Sequence, residues 1–510
     1  MLKTVSKFSG EILLICTVLI AFFTFTNYGV SWDEPQQRET GLVNYDYIFT
    51  SSTALHSWVD RDYGVAFELP LIFVEKIFGF ETTREIYFSR HLITHLLFLL
   101  SAFYLFKLID FVYRNKLLSA LGFLMLILQP VLYGHSFFNS KDLPFLSVFI
   151  ITLYYSARAF DTKNWKNFLL LGLSVGILIN IRLMGIMVPA TLTFFLFVDA
   201  FFEKKYLHHI KLLGVFAVSL ATILYITWPF LWKAPLENFI TAIKNMSQFR
   251  FDREMLFRGE VVRPTEIKWD YVPVWFSIST PIVYLLLGLS GAFLIVYNFL
   301  KAPFDNIKNH ISRNNIFYLA YFFAPVLAII VLKSVLYDGW RQMFFIYPSF
   351  VLLAIYGLSH FYKTHKKVFY TLLAILSLQM GYVLFFMIQS FPLQHLYFNN
   401  SITLQPKEYA RKNFEVDYWG LSYKTAMEYI LEHDTASEIL ICPANFPGYI
   451  NESVLKPEQD ARIRMVGIEH ADYFLTEYRF HPQEYDSLEV YKFHGIEVSN
   501  STVNQIFKLK

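Results

Sequence analysis

The run GEILLICTVLIAFFTFTN (residues 10–27) leads without a break into YGVSWDEPQQRET (residues 28–40). The first stretch carries one charge, Glu11, over a length of about 18 residues, enough to cross a bilayer core. The second sets two adjacent carboxylates, Asp33 and Glu34, a few residues past the hydrocarbon edge, between Trp32 and Pro35. The first stretch fixes the class of protein, and the second asks what an acid pair does at a membrane surface.

The apolar pattern repeats along the chain. Of 510 residues, 55% are hydrophobic, 19% aromatic and only 17% charged, and the mean hydropathy is +0.39. A soluble domain keeps about a quarter of its residues charged. The deficit here comes from uncharged runs of about 17 to 25 residues, the signature of a polytopic α-helical membrane protein. A net charge of +3, from 44 basic and 41 acidic residues, gives no reason to expect nucleic acid, because the basic residues lie in short clusters between apolar runs. Cys16 sits in the first run and Cys442 in a polar tail, so neither a disulfide framework nor a metal motif follows.

Hydropathy predicts about eleven transmembrane helices, near residues 10–27, 88–111, 117–132, 143–160, 168–183, 185–202, 212–231, 274–300, 316–336, 344–361 and 368–388. Lys3 and Lys7 precede the first, but no small-residue cleavage site follows it, so a retained signal anchor is expected. The clusters Lys3/Lys7, Arg114/Lys116, Arg158/Lys163/Lys166, Lys204/Lys205/Lys211, Lys301/Lys308/Arg313 and Lys363/Lys366/Lys367 fall on alternate connections. The positive-inside rule puts these in the cytoplasm, which with an odd number of spans predicts a cytoplasmic N-terminus and an extracytoplasmic C-terminus. The opposite side then receives loops 29–87 and 233–273 and everything after Ser390. Residues 1–390 read as the membrane unit. Residues 391–510 read as a small α/β unit: LSYKTAMEYILEHD has helical spacing through Ala426, Tyr429 and Ile430, and EILICPA, ADYFLTEY, YKFHGIEV and VNQIFKLK read as strands.

On this topology Asp33 and Glu34 head an outer loop. Carboxylates before a proline also suit a plain helix start, but the next outer connection, YGHSFFNSKDLPF, again sets an acid, Asp142, at a membrane edge with Asn139 and His135 beside it. Ionisable groups at such depth are costly and point to function. Arg182, at the junction of the fifth and sixth spans, and Arg341, opening the tenth, place guanidinium groups on the same side, where snorkelling competes with bidentate capture of a phosphate. Carboxylates and cations at a lipid interface suit transfer of a sugar from a polyprenyl phosphate to a hydroxyl. The phosphate leaves as an already acidic group, a carboxylate base activates the acceptor, and the arginines stabilise charge building on the leaving phosphate.

SWDEP after the first span, HSFFNSKDLPF on the second outer connection, WDYVPVWFSISTPI entering the eighth span and YDGWRQMFFIYP entering the tenth together resemble the GT-C glycosyltransferases. The match is to bacterial relatives of the dolichyl-phosphate-mannose protein mannosyltransferases, glycosyltransferase family 39. YFNNSITL and FEVDYWGLSYKTAMEYI resemble an outer extension of some of those relatives. The resemblance implies a GT-C fold with interfacial helices in the first long loop, an active site facing the outside of the cytoplasmic (inner) membrane and inversion at the sugar. It implies catalytic roles for the acid pair, with Asp33 as base and Glu34 orienting base or acceptor, or the reverse order, and for Asp142 with Asn139 beside it. Asn139, His135, Arg182 and Arg341 are the expected substrate contacts. The tail departs from the eukaryotic enzymes in having no recognisable β-trefoil, which argues against carrying over their protein acceptor; a protein serine or threonine, a lipid-linked glycan and lipid A stay open.

The stretch LENFITAIKNMSQFRF puts Phe239, Ile240, Ile243, Met246 and Phe249 or Arg250 on one face, an amphipathic interfacial helix, with Trp269, Tyr271 and Trp275 expected at headgroup level. His91 and His95 are four apart and His208/His209 adjacent, but no third ligand accompanies them, so structural roles are expected; a divalent cation shared by the carboxylates stays open. Two other classes compete with the transferase: a transporter or flippase for a polyprenyl-linked substrate, which would show matching broken halves, and a noncatalytic scaffold whose outer tail binds a partner.

Overall fold

The computed structural model describes residues 8–247 and 253–510. The Lys3/Lys7 cluster and the Phe249 and Arg250 positions of the amphipathic face lie outside the described residues. Among the described residues eight helices are long and apolar enough to cross a membrane: Thr83–Tyr113, Asp142–Thr162, Leu183–Glu203, Tyr206–Ile226, Ile282–Lys301, Ser312–Leu332, Arg341–Thr364 and Lys366–Gln389. A ninth results if Lys116–Ile127 and Pro130–Phe138, bent by 64°, count as one span. The helices Ser9–Thr24 and Trp165–Ile181 are apolar but only 16 and 17 residues long, so eleven full spans are not reached. The protein is nonetheless a multi-pass helical bundle with a small sheet-bearing unit at one end of its sequence.

Local chemistry sets the breaks. Thr82 and Glu85 form a reciprocal capping box at the start of Thr83–Tyr113, and the Asn115 side chain accepts from the amides of Leu117 and Leu118. Pro130 lacks an N–H and cannot continue a helix, so the expected span at 117–132 stops at Ile127 and a short helix turns away. Pro281 likewise divides the expected 274–300 span into Tyr271–Ser279 and Ile282–Lys301. The central helices are Asp142–Thr162 and Arg341–Thr364, each 83% buried over its most apolar window, against 22% for Lys366–Gln389. Gly291 lets Ile282–Lys301 lie against Tyr347–Thr364, because a Cβ there would strike the Leu353 carbonyl oxygen.

Loop 29–87 forms the helices Glu34–Phe49 and Glu68–Phe78, which pack on one another. Loop 233–273 holds the helix Pro235–Ser247 and an antiparallel ribbon of β1 (Met255–Phe257) and β2 (Glu260–Val262). Ile240, Ile243 and Met246 are exposed along that helix, as an interfacial face requires. Trp269 is exposed too, whereas Tyr271 and Trp275 are buried inside the protein.

Beyond Gln389 the chain builds a five-stranded sheet from β3 (Ile439–Pro443), β4 (Ile463–Met465), β5 (Tyr473–Thr476), β6 (Lys492–Val498) and β7 (Ser501–Lys508), in the order β4-β3-β5-β7-β6. β3 runs parallel to β4 and β5, and β7 antiparallel to β5 and β6. The helix Ser422–His433 covers the sheet with Tyr423, Ala426, Met427 and Ile430, packed on Ile439, Ile441, Leu475 and Ile506. Tyr429, expected on that face, is only partly buried beside it. β4 escapes the sequence reading because three residues, Ile463, Arg464 and Met465, are too few to show a period.

Candidate active site

Trp32 to Pro35 form the turn into the helix Glu34–Phe49. Proline is tolerated in a first turn, whose amides have no partner within the helix. Asp33 occupies the N-cap position, yet its side chain makes no capping bond. Its carboxylate is instead 36% exposed and lies 3.0 Å (Oδ2) from Arg341 Nη1. Glu34 turns the other way: it is 2% exposed, its Oε2 accepts from the Ser31 amide at 2.7 Å, and its Oε1 lies 2.8 Å from His91 Nε2. Neighbours in sequence thus occupy opposite environments, one open and one sealed.

Arg341 is the hub. It precedes the helix Tyr347–Thr364 on a 3-10 turn, its side chain is 3% exposed, and three carboxylates surround it: Asp33 at 3.0 Å, Asp338 at 3.2 Å and Asp142 at 3.4 Å. Asp142 opens the helix Asp142–Thr162 and is held by Asn139, whose Oδ1 accepts from the Asp142 amide at 2.8 Å and whose Nδ2 donates to Asp142 Oδ2 at 3.0 Å. Asp142 Oδ1 pairs with Arg182, which stands in extended conformation where the helix Trp165–Ile181 ends. Asp338 Oδ1 accepts from Arg479 at 2.8 Å. Arg182, Asp142, Arg341, Asp338 and Arg479 therefore alternate in sign, with Asp33 as the branch that reaches open space. Burial of so many charges is tolerable only because each has an opposite partner.

A further cation stands beside this chain. Lys141 Nζ lies 3.3 Å from the centre of the Tyr63 ring, and burial, reinforced by the Arg182 charge, pushes its ammonium down to about 8. His135 uses both ring nitrogens, Nε2 3.2 Å from the Tyr418 hydroxyl and Nδ1 3.4 Å from Asn139 Nδ2, and so braces Asn139. Trp419 and Tyr337 cover Arg341, with ring centres 5.0 and 4.7 Å from its guanidinium. His91 is committed to Glu34, and His95 Nδ1 lies 2.7 Å from Ser136 Oγ. Among the described residues one group of three potential metal ligands, Asp199, Glu203 and His209, comes together. It lies at the far end of the helix that follows Arg182, and Lys163 and Arg313 already neutralise its carboxylates.

All seven residues singled out from the sequence thus gather at one end of the bundle: Asp33, Asp142, Asn139, His135, Arg182 and Arg341 in one network, and Glu34 behind it. Asp338, Lys141, Tyr418 and Arg479 were missed. Asp338 and Lys141 lie inside motifs already quoted, three residues before Arg341 and one before Asp142. Arg479 carries no local signal; only folding delivers it. The assembly sets a solvent-open carboxylate against buried cations, which can accept a proton on one side and stabilise a departing anion on the other.

No curated protein matches the chain. Among solved structures it is similar to the apo oligosaccharyltransferase of Archaeoglobus fulgidus, at 11% identity and a TM-score of 0.49, over 91% of this chain and 65% of that one. The chain thus spans about two thirds of that relative's length. It is also similar to ArnT from Cupriavidus metallidurans in the apo state, at 11% identity and a TM-score of 0.49 over 97% of each chain, and bound to undecaprenyl phosphate, at 12% identity and 0.45 over 98% of each. Residues 70–228, which contain His135, Asn139, Asp142 and Arg182, match the family model described as dolichyl-phosphate-mannose-protein mannosyltransferase, and with that match the GT-C resemblance read from the motifs is borne out.

Proposed function

We propose that this protein transfers a sugar from a polyprenyl-phosphate donor to an acceptor hydroxyl at the outer face of the cytoplasmic membrane, with inversion at the sugar and Asp33 as general base. One observation carries the reading: of the three carboxylates on Arg341, Asp33 is 36% exposed whereas Asp142 and Asp338 are 1% and 4% exposed. Asp33 alone of the three is free to take a proton from an incoming hydroxyl. As the acceptor oxygen bonds to the anomeric carbon, its proton passes to Asp33 Oδ. The sugar–phosphate C–O bond breaks, and its electron pair leaves on the phosphate. Arg341, Arg182 and Lys141 supply positive charge where that anion forms. The phosphate is already acidic, so no strong general acid is required. Glu34, bonded to Ser31 and His91, fixes the turn that presents Asp33. Residues 1–390 form the transferase unit and residues 391–510 an outer unit, with the N-terminus in the cytoplasm.

The match of residues 70–228 to the mannosyltransferase family supports a dolichyl- or undecaprenyl-type carrier. A transporter reading fits less well, because the charged groups cluster where spans begin and end instead of at mid-bundle. Purified protein offered a panel of labelled polyprenyl-phosphate monosaccharides, with serine/threonine peptides, lipid A and lipid-linked glycans as acceptors, should consume carrier and label one acceptor class. Recovery of every carrier intact, with label moved only across a vesicle wall, would replace the transferase by the flippase.

A further inference from the structure

The segment that delivers Asp33 is held from outside the bundle. Lys424 Nζ donates to the Asn27 carbonyl at 3.0 Å, and the Trp32 amide donates to the Trp419 carbonyl at 3.2 Å. Between them Asn451 grips both polar groups of one residue: its Oδ1 accepts from the Val30 amide at 2.9 Å, and its Nδ2 donates to the Val30 carbonyl at 3.0 Å. A carboxamide used in this way imitates the pairing a neighbouring strand would give. Asn451 is 0% exposed, so its carboxamide serves as a bracket sealed inside the protein. Gly29 completes the fit, since a Cβ there would lie 2.8 Å from the Leu421 carbonyl oxygen and closer still to Asn451 Oδ1. Arg479 then clamps the front of the segment twice. Its guanidinium lies 5.3 Å from the Trp32 ring centre, and through Asp338 it braces the arginine that touches Asp33.

We propose that Asn451 and Arg479 are positioning residues for the transfer reaction, so that the polar tail is a wall of the active site that aims Asp33 and not a binding module acting on its own. The proposal rests on the transferase reading for the word reaction, but not for the mechanical claim. Asn451 lies more than four hundred residues from Val30 in sequence (separation 421), so only the folded tail brings these two bonds to the segment. Without them a buried amide and a buried carbonyl lose their partners, and the turn carrying Asp33 is free to shift. A misplacement of about 1 Å at a reacting group costs on the order of 100-fold in rate.

The test uses full-length protein in detergent, with Asn451→Ala, Asn451→Asp, which keeps the volume but loses the Nδ2 donors, and Arg479→Gln with Arg479→Lys as its rescue. Hydrogen exchange of peptides covering residues 26–40 is read beside turnover of dolichyl-phosphate mannose. In both Asn451 variants these peptides should exchange at least tenfold faster while peptides of the central helix Asp142–Thr162 keep wild-type protection. Turnover should fall about 100-fold with the KM for carrier changed less than twofold, and Arg479→Lys should recover more activity than Arg479→Gln. Unchanged exchange over residues 26–40 in Asn451→Asp overturns the proposal, as does a loss confined to KM. If wild-type protein turns over no carrier, the donor reading fails, while the exchange result still decides whether Asn451 holds the segment.

Discussion

Replacing Asp33 by Asn should separate catalysis from folding. Asp33 is more than a third exposed, and its pairing with Arg341 at 3.0 Å is one of three that Arg341 makes. An ion pair so open to water contributes at most about 1 kcal/mol, and Asp142 and Asp338 still neutralise the guanidinium, so the variant should melt close to wild type. Loss of a positioned base removes about 100- to 10,000-fold in rate, which is about 3 to 5 kcal/mol of barrier. Asp142→Asn supplies the contrast. That carboxylate is 1% exposed and bridges Arg182 and Arg341, so its removal leaves buried positive charge uncompensated, at a cost of about 3 to 5 kcal/mol in stability. The assay is carrier consumption by detergent-purified protein, normalised to the folded fraction, beside thermal unfolding of each variant. An Asp33→Asn protein within threefold of wild-type turnover would refute Asp33 as base, and one that melts as early as Asp142→Asn would refute the separation of roles.

Three further outcomes are expected. Glu34→Gln should lower stability by about 1 to 3 kcal/mol, because a buried acceptor pair facing Ser31 and His91 becomes half donor, while folded enzyme keeps turnover within tenfold of wild type; thermal unfolding and specific activity together check this. Burial holds Lys141 down to about 8, so its positive charge is lost as pH rises through that value. Turnover at limiting donor should decline between about pH 7 and 9, and Lys141→Arg, charged throughout, should flatten the decline. Burial, opposed by Arg479 and aided by Asp338, pushes Glu415 up to about 8 from 4.5. The folded protein then keeps a proton that the unfolded chain has released, so the contribution of Glu415 to stability falls with rising pH from about 4.5 to 8 and levels off above. Glu415→Gln should remove that slope, seen as a gain in melting temperature over wild type that grows from about pH 6 to 8.

Hydropathy is a property of neighbours in sequence, which is why the bundle could be read before folding. The run at 10–27 and its successors each declare a helix on their own composition, and the motifs SWDEP, NSKD and DGWR mark where helices meet a polar environment. The failures were also local. Pro130 and Pro281 broke helices inside uninterrupted apolar runs, because window averages count carbon and ignore a missing N–H. Ser9–Thr24 ends three residues before the run at 10–27 does, whereas Trp165–Ile181 starts three residues ahead of its apolar run, where the Asn164 side chain accepts from the Asn167 amide.

Sequence by itself determined the class of protein, the apolar segments that become helices and the short list of charged residues at their ends, since apolar length and isolated charge need no partner to be recognised. Tertiary structure alone decided that Asp33 is open while its neighbour Glu34 is sealed, that Arg341 collects three carboxylates, and that Arg479, 141 residues from Asp338, closes the chain of charges. The physical reason is that a buried charge acquires its meaning from the opposite charge packed against it, and such partners are chosen by the fold across distances that no local pattern spans.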